Sequence, residues 1–429
     1  MRRAAADLFR TLLAVGVGSA PGLLFPLVIA ITMSARSGDE LILLLSIVLV
    51  LVGVQANTLE TAVIAEAGRA SRLGGVSEAD LRRTVRRGLL LAVPATAVLF
   101  PALIGVYAAN SNTLSATQLA RDGLPMMAIP VVATISAVYS GTATALGGFR
   151  AVLAGQALRS VFALAWLVLT GAGVAQLAWF LLLGELVRFA FLRMLARRHT
   201  VGPDEGALET PAASSLAHQA LSMTTTTANP VIDRSFLTHS RPGTVVAYDL
   251  ADKLYFTPNL LLNNGLILPY VRKWPELIGR PVAEVRRALR TDLVRLSLVC
   301  VAAAAVSEVL VLLARLLLPI KGGSSLETGL VWSQILFASL PLTMMNTAGA
   351  RLLVLARRTT FLPRLALADL AANVALDALL YSTMGAIGIP VATIAMRALN
   401  GTIFGCVIHW IAAPALAEEG SSAPCPQPV

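Results

Sequence analysis

Long, unbroken apolar runs govern what this chain can become. They lie at 11–33, 41–65, 88–109, 125–147, 151–173 and 174–195, then at 215–240, 244–271, 293–318, 329–355, 361–384 and 386–416. Each is about 20 residues or more, the length a helix needs to cross the hydrocarbon of a bilayer. Inside lipid the backbone must satisfy its own hydrogen bonds, so such runs read as helix. A membrane barrel needs short segments of alternating polarity, and these runs do not alternate. The sequence therefore predicts an all-α polytopic membrane protein with about twelve transmembrane helices. A mean hydropathy of +0.74 and a charged fraction of 14% exclude an ordinary soluble globular chain.

The net charge of +10 raises the question of nucleic acid, and the placement of the arginines answers it. They gather in alternate loops: Arg2, Arg3 and Arg10; Arg69 to Arg87; Arg150; Arg193 to Arg198; Arg272 to Arg290; Arg357 to Arg364. The opposite loops hold little beyond Arg36, Arg121, Arg241 and Lys321. Excess Lys/Arg marks the cytoplasmic side, so both termini are expected in the cytoplasm and the chain in the plasma membrane. An even number of spans requires the same. The basic excess then sets orientation and attracts anionic lipid headgroups, and no nucleic-acid partner is expected. The first run follows basic residues but lacks a small-residue cleavage site, so it reads as a retained helix. Cys300 and Cys406 fall in apolar runs and Cys425 in the tail, which implies no disulfide framework.

The polar, Pro/Gly-containing interval that begins at His199 divides the runs into two sets of six. The expected organisation is an N-terminal six-helix bundle over 1–198, a cytoplasmic linker over 199–214 and a C-terminal six-helix bundle over 215–416. A central cavity between the bundles and a disordered tail over 417–429 complete it. Weak internal similarity supports the repeat. Ser140-Gly141-Thr142-Ala143 before Arg150 is echoed by Asn346-Thr347-Ala348-Gly349 before Arg357, and Pro21 and Pro26 by Pro230. Small residues let membrane helices approach closely, and prolines kink them.

No enzyme signature is found: the chain has no Gly-rich loop ending in Gly-Lys-Ser/Thr, and its four histidines lack partners at metal-ligand spacing. Neither a catalytic residue, a resident metal nor a cofactor is expected. The polar chemistry sits inside the apolar runs. Thr224 to Thr227 lead into Asn229-Pro230-Val231-Ile232-Asp233-Arg234, and Tyr248-Asp249-Leu250-Ala251-Asp252-Lys253 follows. Arg159, Asp369, Asp377 and Arg397 are further charges at membrane depth. Such groups are costly there and usually face a water-filled cavity or one another. One reading makes them a transport pathway whose arginines hold an anion and whose carboxylates balance them or bind a coupling cation, H+ or Na+. The other makes them buried ion pairs that fix helix register. Asp233 and Arg234, about 100° apart on a helix, must find separate partners. Asp249, Asp252 and Lys253 share one face and can partly neutralise one another. Glu185 and Arg188 read as charges near a span end that snorkel to the interface.

The run from Asn229 to Phe236, with Gly243-Thr244-Val245-Val246-Ala247-Tyr248, then Asp252-Lys253-Leu254-Tyr255 and Pro258, resembles the central signature of MviN-type lipid II flippases. These belong to the multidrug/oligosaccharidyl-lipid/polysaccharide exporter superfamily. Asn373 to Asp377 and Gly385 to Thr393 are similar to that superfamily's eleventh and twelfth helices. The first half departs from the pattern: Ser19-Ala20-Pro21-Gly22 stands where those flippases carry an arginine motif, and 41–68 contains no arginine. The resemblance implies alternating access and a polyprenyl-diphosphate-linked glycan as cargo, moved to the outer leaflet. Arg234 would engage the diphosphate or a sugar acid, Asp233 would position Arg234, and Asp249 and Asp252 would tune the cavity. Two alternatives stay open: a cation-coupled drug or metabolite exporter of the same superfamily, and a non-transporting scaffold for a polysaccharide synthase.

Overall fold

Every extended element among the described residues is helical. The computed structural model describes residues 2–73, 75–111, 114–171, 173–198, 200, 213–317, 320, 322–356, 358 and 360–419. Most of the expected linker at 199–214 and the tail beyond Glu419 thus lie outside the described residues. The first nine helices are α1 (Arg2–Thr32), α2 (Ala35–Val52), α3 (Thr58–Leu73), α4 (Glu78–Asn110), α5 (Ala116–Gly123), α6 (Ala128–Ala143), α7 (Phe149–Gly155), α8 (Leu158–Thr170) and α9 (Val174–Arg197). They are followed by α10 (Ala213–Leu237), α11 (Thr244–Leu262), α12 (Leu268–Lys273), α13 (Val282–Leu317), α14 (Ser325–Phe337), α15 (Leu340–Leu355), α16 (Phe361–Met384), α17 (Gly388–Val407) and α18 (Ala413–Glu419).

Local chemistry sets many of the ends. The Ser34 and Ser115 side chains accept from the backbone of the first turns of α2 and α5, and Ser77 with Asp80 forms a reciprocal capping box at α4. Gly171, at φ 61°, closes α8 in the left-handed conformation that glycine adopts without strain. Among the described residues four π turns, at Gly53–Asn57, Thr144–Gly148, Asn263–Ile267 and Ile408–Ala412, interrupt what the apolar pattern presents as continuous runs.

Among the described residues seven helical segments are long and apolar enough to cross a membrane, or eight if the bent pair Ser325–Phe337 and Leu340–Leu355, at 54°, makes one span. Two of these segments, Ala116–Thr170 and Phe361–Glu418, each hold several helices joined by short 3-10 or π turns. In the second, α16 and α17 pack side by side after the chain turns at Gly385. The polar α11 does not qualify, because Asp249, Asp252 and Lys253 crowd into its nineteen residues.

Two compact units emerge, one of Met1–Leu250 with Ser324–Thr328, the other of Ala251–Gly323 and Gly329–Val429. The division falls inside α11. In the first unit Leu59, Val63 and Ala67 of α3 pack with Val138 and Tyr139 of α6 and Leu192 of α9. Gly184 of α9 sits against α8 so closely that an added β-carbon would lie 2.6 Å from the carbonyl oxygens of Leu158 and Arg159. In the second unit Trp274, Leu289, Leu293 and Cys300 meet Ala348 and Leu352 of α15.

Candidate functional site

The two charges in α10 are paired, each with its own partner. Asp233 accepts from the Tyr248 hydroxyl at 2.6 Å, while the Arg234 guanidinium meets the Asp249 carboxylate at 2.5 Å. The pairing steps by one residue along both helices, so the 100° offset between Asp233 and Arg234 is matched by the same offset in α11. Arg234 is 3% exposed and Asp249 4%. An ion pair this deep persists because either charge alone would be left uncompensated in a poorly solvating interior. Asp249 and Lys253, which share a helix face, do not pair; Arg234 holds the carboxylate instead. Beside them the Thr238 hydroxyl donates to the Asn110 carbonyl, and buried Tyr107 shares a 2.7 Å hydrogen bond with Ser46. Asn229 lies one turn before Asp233 on α10, half-buried.

A carboxylate absent from the sequence expectations anchors this site. Asp39 of α2 accepts from the backbone N–H of Gly243 at 2.7 Å and of Val246 at 2.9 Å. It thereby caps the N-terminus of α11, where the free N–H groups and the helix dipole favour an anion. Gly243, at φ 91°, is the residue that lets the chain turn into this cap. Nothing local signals the contact, since Asp39 and Gly243 are 204 residues apart.

Arg159 belongs to a second cluster of the first unit. Its Nε donates to one Glu185 oxygen at 2.9 Å, and Arg188 donates to the other at 2.8 Å. Glu185 and Arg188 are each 1% exposed, so they do not snorkel; α9 continues to Arg197 and leaves them well inside the span. Nearby, Ser140 of α6 donates to Glu60 of α3 at 2.5 Å.

The remaining candidates lie in the second unit. Arg397 of α17 lays its guanidinium over the Tyr255 ring, 4.0 Å from the centroid, and donates to the Ser339 hydroxyl at 2.7 Å. The Tyr255 hydroxyl donates to Thr343 at 2.5 Å. Arg397 is half-buried, and it makes no ion pair with a carboxylate among the described residues. Asp252 and Lys253, both half-buried, likewise form no ion pair among the described residues. On α16 the wholly buried Asp377 accepts from the Asn373 amide at 3.2 Å, and Asp369 accepts from Asn400 of α17. The site chemistry is thus of two kinds. In α10 and the start of α11 Arg234 is neutralised by Asp249 and Asp233 is hydrogen-bonded by Tyr248; in the second unit Arg397 is held by an aromatic ring and a hydroxyl. Ser339 has no signal in the sequence, whereas Tyr248 and Tyr255 stand there only as members of the motif that carries the resemblance.

No protein-family model matches the sequence, and no curated protein matches it significantly. Solved structures do. The chain is similar to an inward-facing multidrug resistance MATE family transporter of the MOP superfamily, with a TM-score of 0.72 at 13% identity over 97% of this chain and 100% of that one. It is similar to the lipid II flippase MurJ in an inward closed conformation, with a TM-score of 0.70 at 11% identity over 96% and 90%. A MOP superfamily transporter from Pyrococcus furiosus, described as having a binding pocket of reverse polarity, matches with a TM-score of 0.61 at 15% identity over 95% and 96%. The chain therefore has the all-helical fold that these MOP superfamily transporters share.

Proposed function

We propose that this protein is an alternating-access transporter for an anionic lipid-linked substrate, a polyprenyl-diphosphate-linked glycan that it carries to the outer leaflet. The observation that carries this reading is Arg397. A guanidinium at membrane depth, supported by an aromatic face and a hydroxyl but by no carboxylate, is suited to an anionic group from a ligand. Lys253, two residues before Tyr255, is a second half-buried cation with no ion pair among the described residues. Arg234 is neutralised by Asp249 in this conformation, and the substrate anion competes with Asp249 for it as the transporter changes state. Asp233, tied to Tyr248, fixes the rotation of α10 that keeps Arg234 in place. The buried Asp377 with its Asn373 partner is the group we assign to a coupling cation, H+ or Na+. Among the structural neighbours stand a lipid II flippase and multidrug transporters, and one neighbour is distinguished by pocket polarity. The sign of the free charge is therefore the property on which we base the choice of cargo.

A second reading, a cation-coupled exporter of cationic small molecules, draws on Asp252, a carboxylate with no ion-pair partner among the described residues. One experiment separates the two. Proteoliposomes with wild type, Arg397→Gln or Asp252→Asn are assayed for flipping of a fluorescent polyprenyl-diphosphate sugar and for transport of a cationic dye. The flippase reading expects lipid movement that Arg397→Gln abolishes. Dye transport sensitive to Asp252→Asn, with no lipid movement, would replace it by the exporter reading.

A further inference from the structure

The second unit contains a cavity of about 610 Å³ whose lining includes none of the candidate site residues above. Its head is formed by Arg286, Arg287 and Arg290 of α13, and its walls run up the same helix through Leu293, Leu298 and Val301. Met345 of α15, Gly405 of α17 and Ala413 of α18 close the other side, so four helices build it rather than one exposed face. From Arg286 to Val301 is fifteen residues, roughly 22 Å of helix. The groove is therefore cationic at one end and apolar along the rest, over the length of a headgroup and the upper part of an acyl chain.

The head is a constructed feature. A π turn at Ile408–Ala412 sends the Ala413 N–H to the Ile408 carbonyl, and the next N–H that could serve His409 is missing because residue 414 is proline. The His409 carbonyl accepts from Arg286 Nε at 3.2 Å instead, and the Arg286 guanidinium lies 5.6 Å from the Trp410 ring centroid. Arg286 is thus held by neutral partners, and neither Arg287 nor Arg290 makes an ion pair with a carboxylate among the described residues. The helix α13 has 36 residues, about 54 Å and well beyond the roughly 30 Å hydrocarbon thickness, so its arginine-bearing end reaches the headgroup region. The groove has room beside Gly405: a β-carbon added there would meet no atom within 4 Å.

We propose that this groove is a specific seat for an anionic glycerophospholipid, whose phosphate is held by Arg286, Arg287 and Arg290 and whose acyl chain lies along Leu293, Leu298 and Val301. Charge complementarity selects the headgroup, and the apolar wall selects a lipid over a free anion. The seat is independent of the cargo and of the residues that bind it.

The test is native mass spectrometry of the full chain released from detergent, titrated with phosphatidylglycerol, phosphatidylcholine or inorganic phosphate. Wild type is expected to retain phosphatidylglycerol selectively. At about fivefold in affinity for each arginine removed, Arg287→Gln with Arg290→Gln should weaken that retention roughly twenty-five-fold. Gly405→Leu, which leaves every charge in place and adds volume where there is room, should also displace the lipid. Equal retention of phosphatidylcholine, or unchanged binding in Gly405→Leu, would overturn the proposal. So would displacement of phosphatidylglycerol by an equal concentration of inorganic phosphate, since the apolar wall would then contribute nothing. Should the double arginine variant fail to fold, Gly405→Leu and the two competitor arms still decide the matter.

Discussion

At the scale of single residues, the buried pair of Arg234 and Asp249 ties α10 to α11. With side chains only 3% and 5% exposed, neither can turn to water when its partner is lost. Asp249→Leu should therefore destabilise the protein by about 3–5 kcal/mol, and Arg234→Met by a similar amount. Replacing both, as Arg234→Met with Asp249→Leu, should cost much less than the sum, because no uncompensated charge remains. Thermal unfolding of the four proteins in one detergent measures the coupling, and additive losses would show that the pair is not a unit. Arg397 calls for a different kind of test, because its neighbours are neutral. Arg397→Lys keeps the charge but loses the planar group that lies on Tyr255 and reaches Ser339. It should lose about 2 kcal/mol, some thirtyfold, in apparent affinity for a diphosphate lipid while the melting temperature holds. A large drop in melting temperature with unchanged affinity would make Arg397 a packing residue.

Helices are positioned by contacts that single residues make possible. Asp39 caps α11 from α2, so Asp39→Ala strips the acceptor from the Gly243 and Val246 N–H groups and should cost about 1–2 kcal/mol. Asp39→Asn, which keeps one acceptor oxygen, should cost less, and melting temperatures of the two variants order them. Gly184→Ala places a methyl against backbone oxygens, which cannot swing aside as a side chain would; α8 and α9 must separate, at about 1–3 kcal/mol. These contacts also show what the sequence could carry at this scale. The existence of helices was legible because a bilayer demands length and apolarity, and both are local properties. Their interruptions were less so: 41–65 reads as one run, yet a π turn at Gly53–Asn57 divides it. That Asp233 and Arg234 could not pair with each other follows from helix geometry alone. That Tyr248 and Asp249 are their partners does not, because it depends on how α10 and α11 rotate against each other. Glu185 and Arg188 read as interfacial although the run 174–195 already placed them near its middle; what the sequence did not carry is the contact from Arg159 of α8 that compensates Glu185.

For the whole molecule, the alternation of arginine-rich and arginine-poor loops predicts an orientation in the membrane, and with it the sign of the electric field that the proposed transport would meet. If the arginine-rich side is cytoplasmic, a C-terminal fluorescent protein fusion should be bright and an alkaline phosphatase fusion inactive; the reverse result would invert the topology. Orientation then fixes the sign of a stronger test. An inside-negative potential favours outward movement of negative charge, by about 2.3 kcal/mol per charge for each 100 mV crossed. A diphosphate lipid carried outward should therefore move faster, and accumulate further, when the cytoplasmic side is made negative. The gain falls short of that full value to the extent that Arg397 and Lys253 travel with the anion and compensate it. A cationic drug carried outward is opposed by the same field and needs a counter-moving cation to overcome it. Imposing a potassium diffusion potential with valinomycin across oriented proteoliposomes, first of one sign and then of the other, reads this directly. Acceleration of outward flipping under an inside-negative potential is the expected result. Slowing under that potential, or transport only when a sodium or proton gradient is present and the potential is clamped, would assign the free charge of the second unit to balance rather than to cargo.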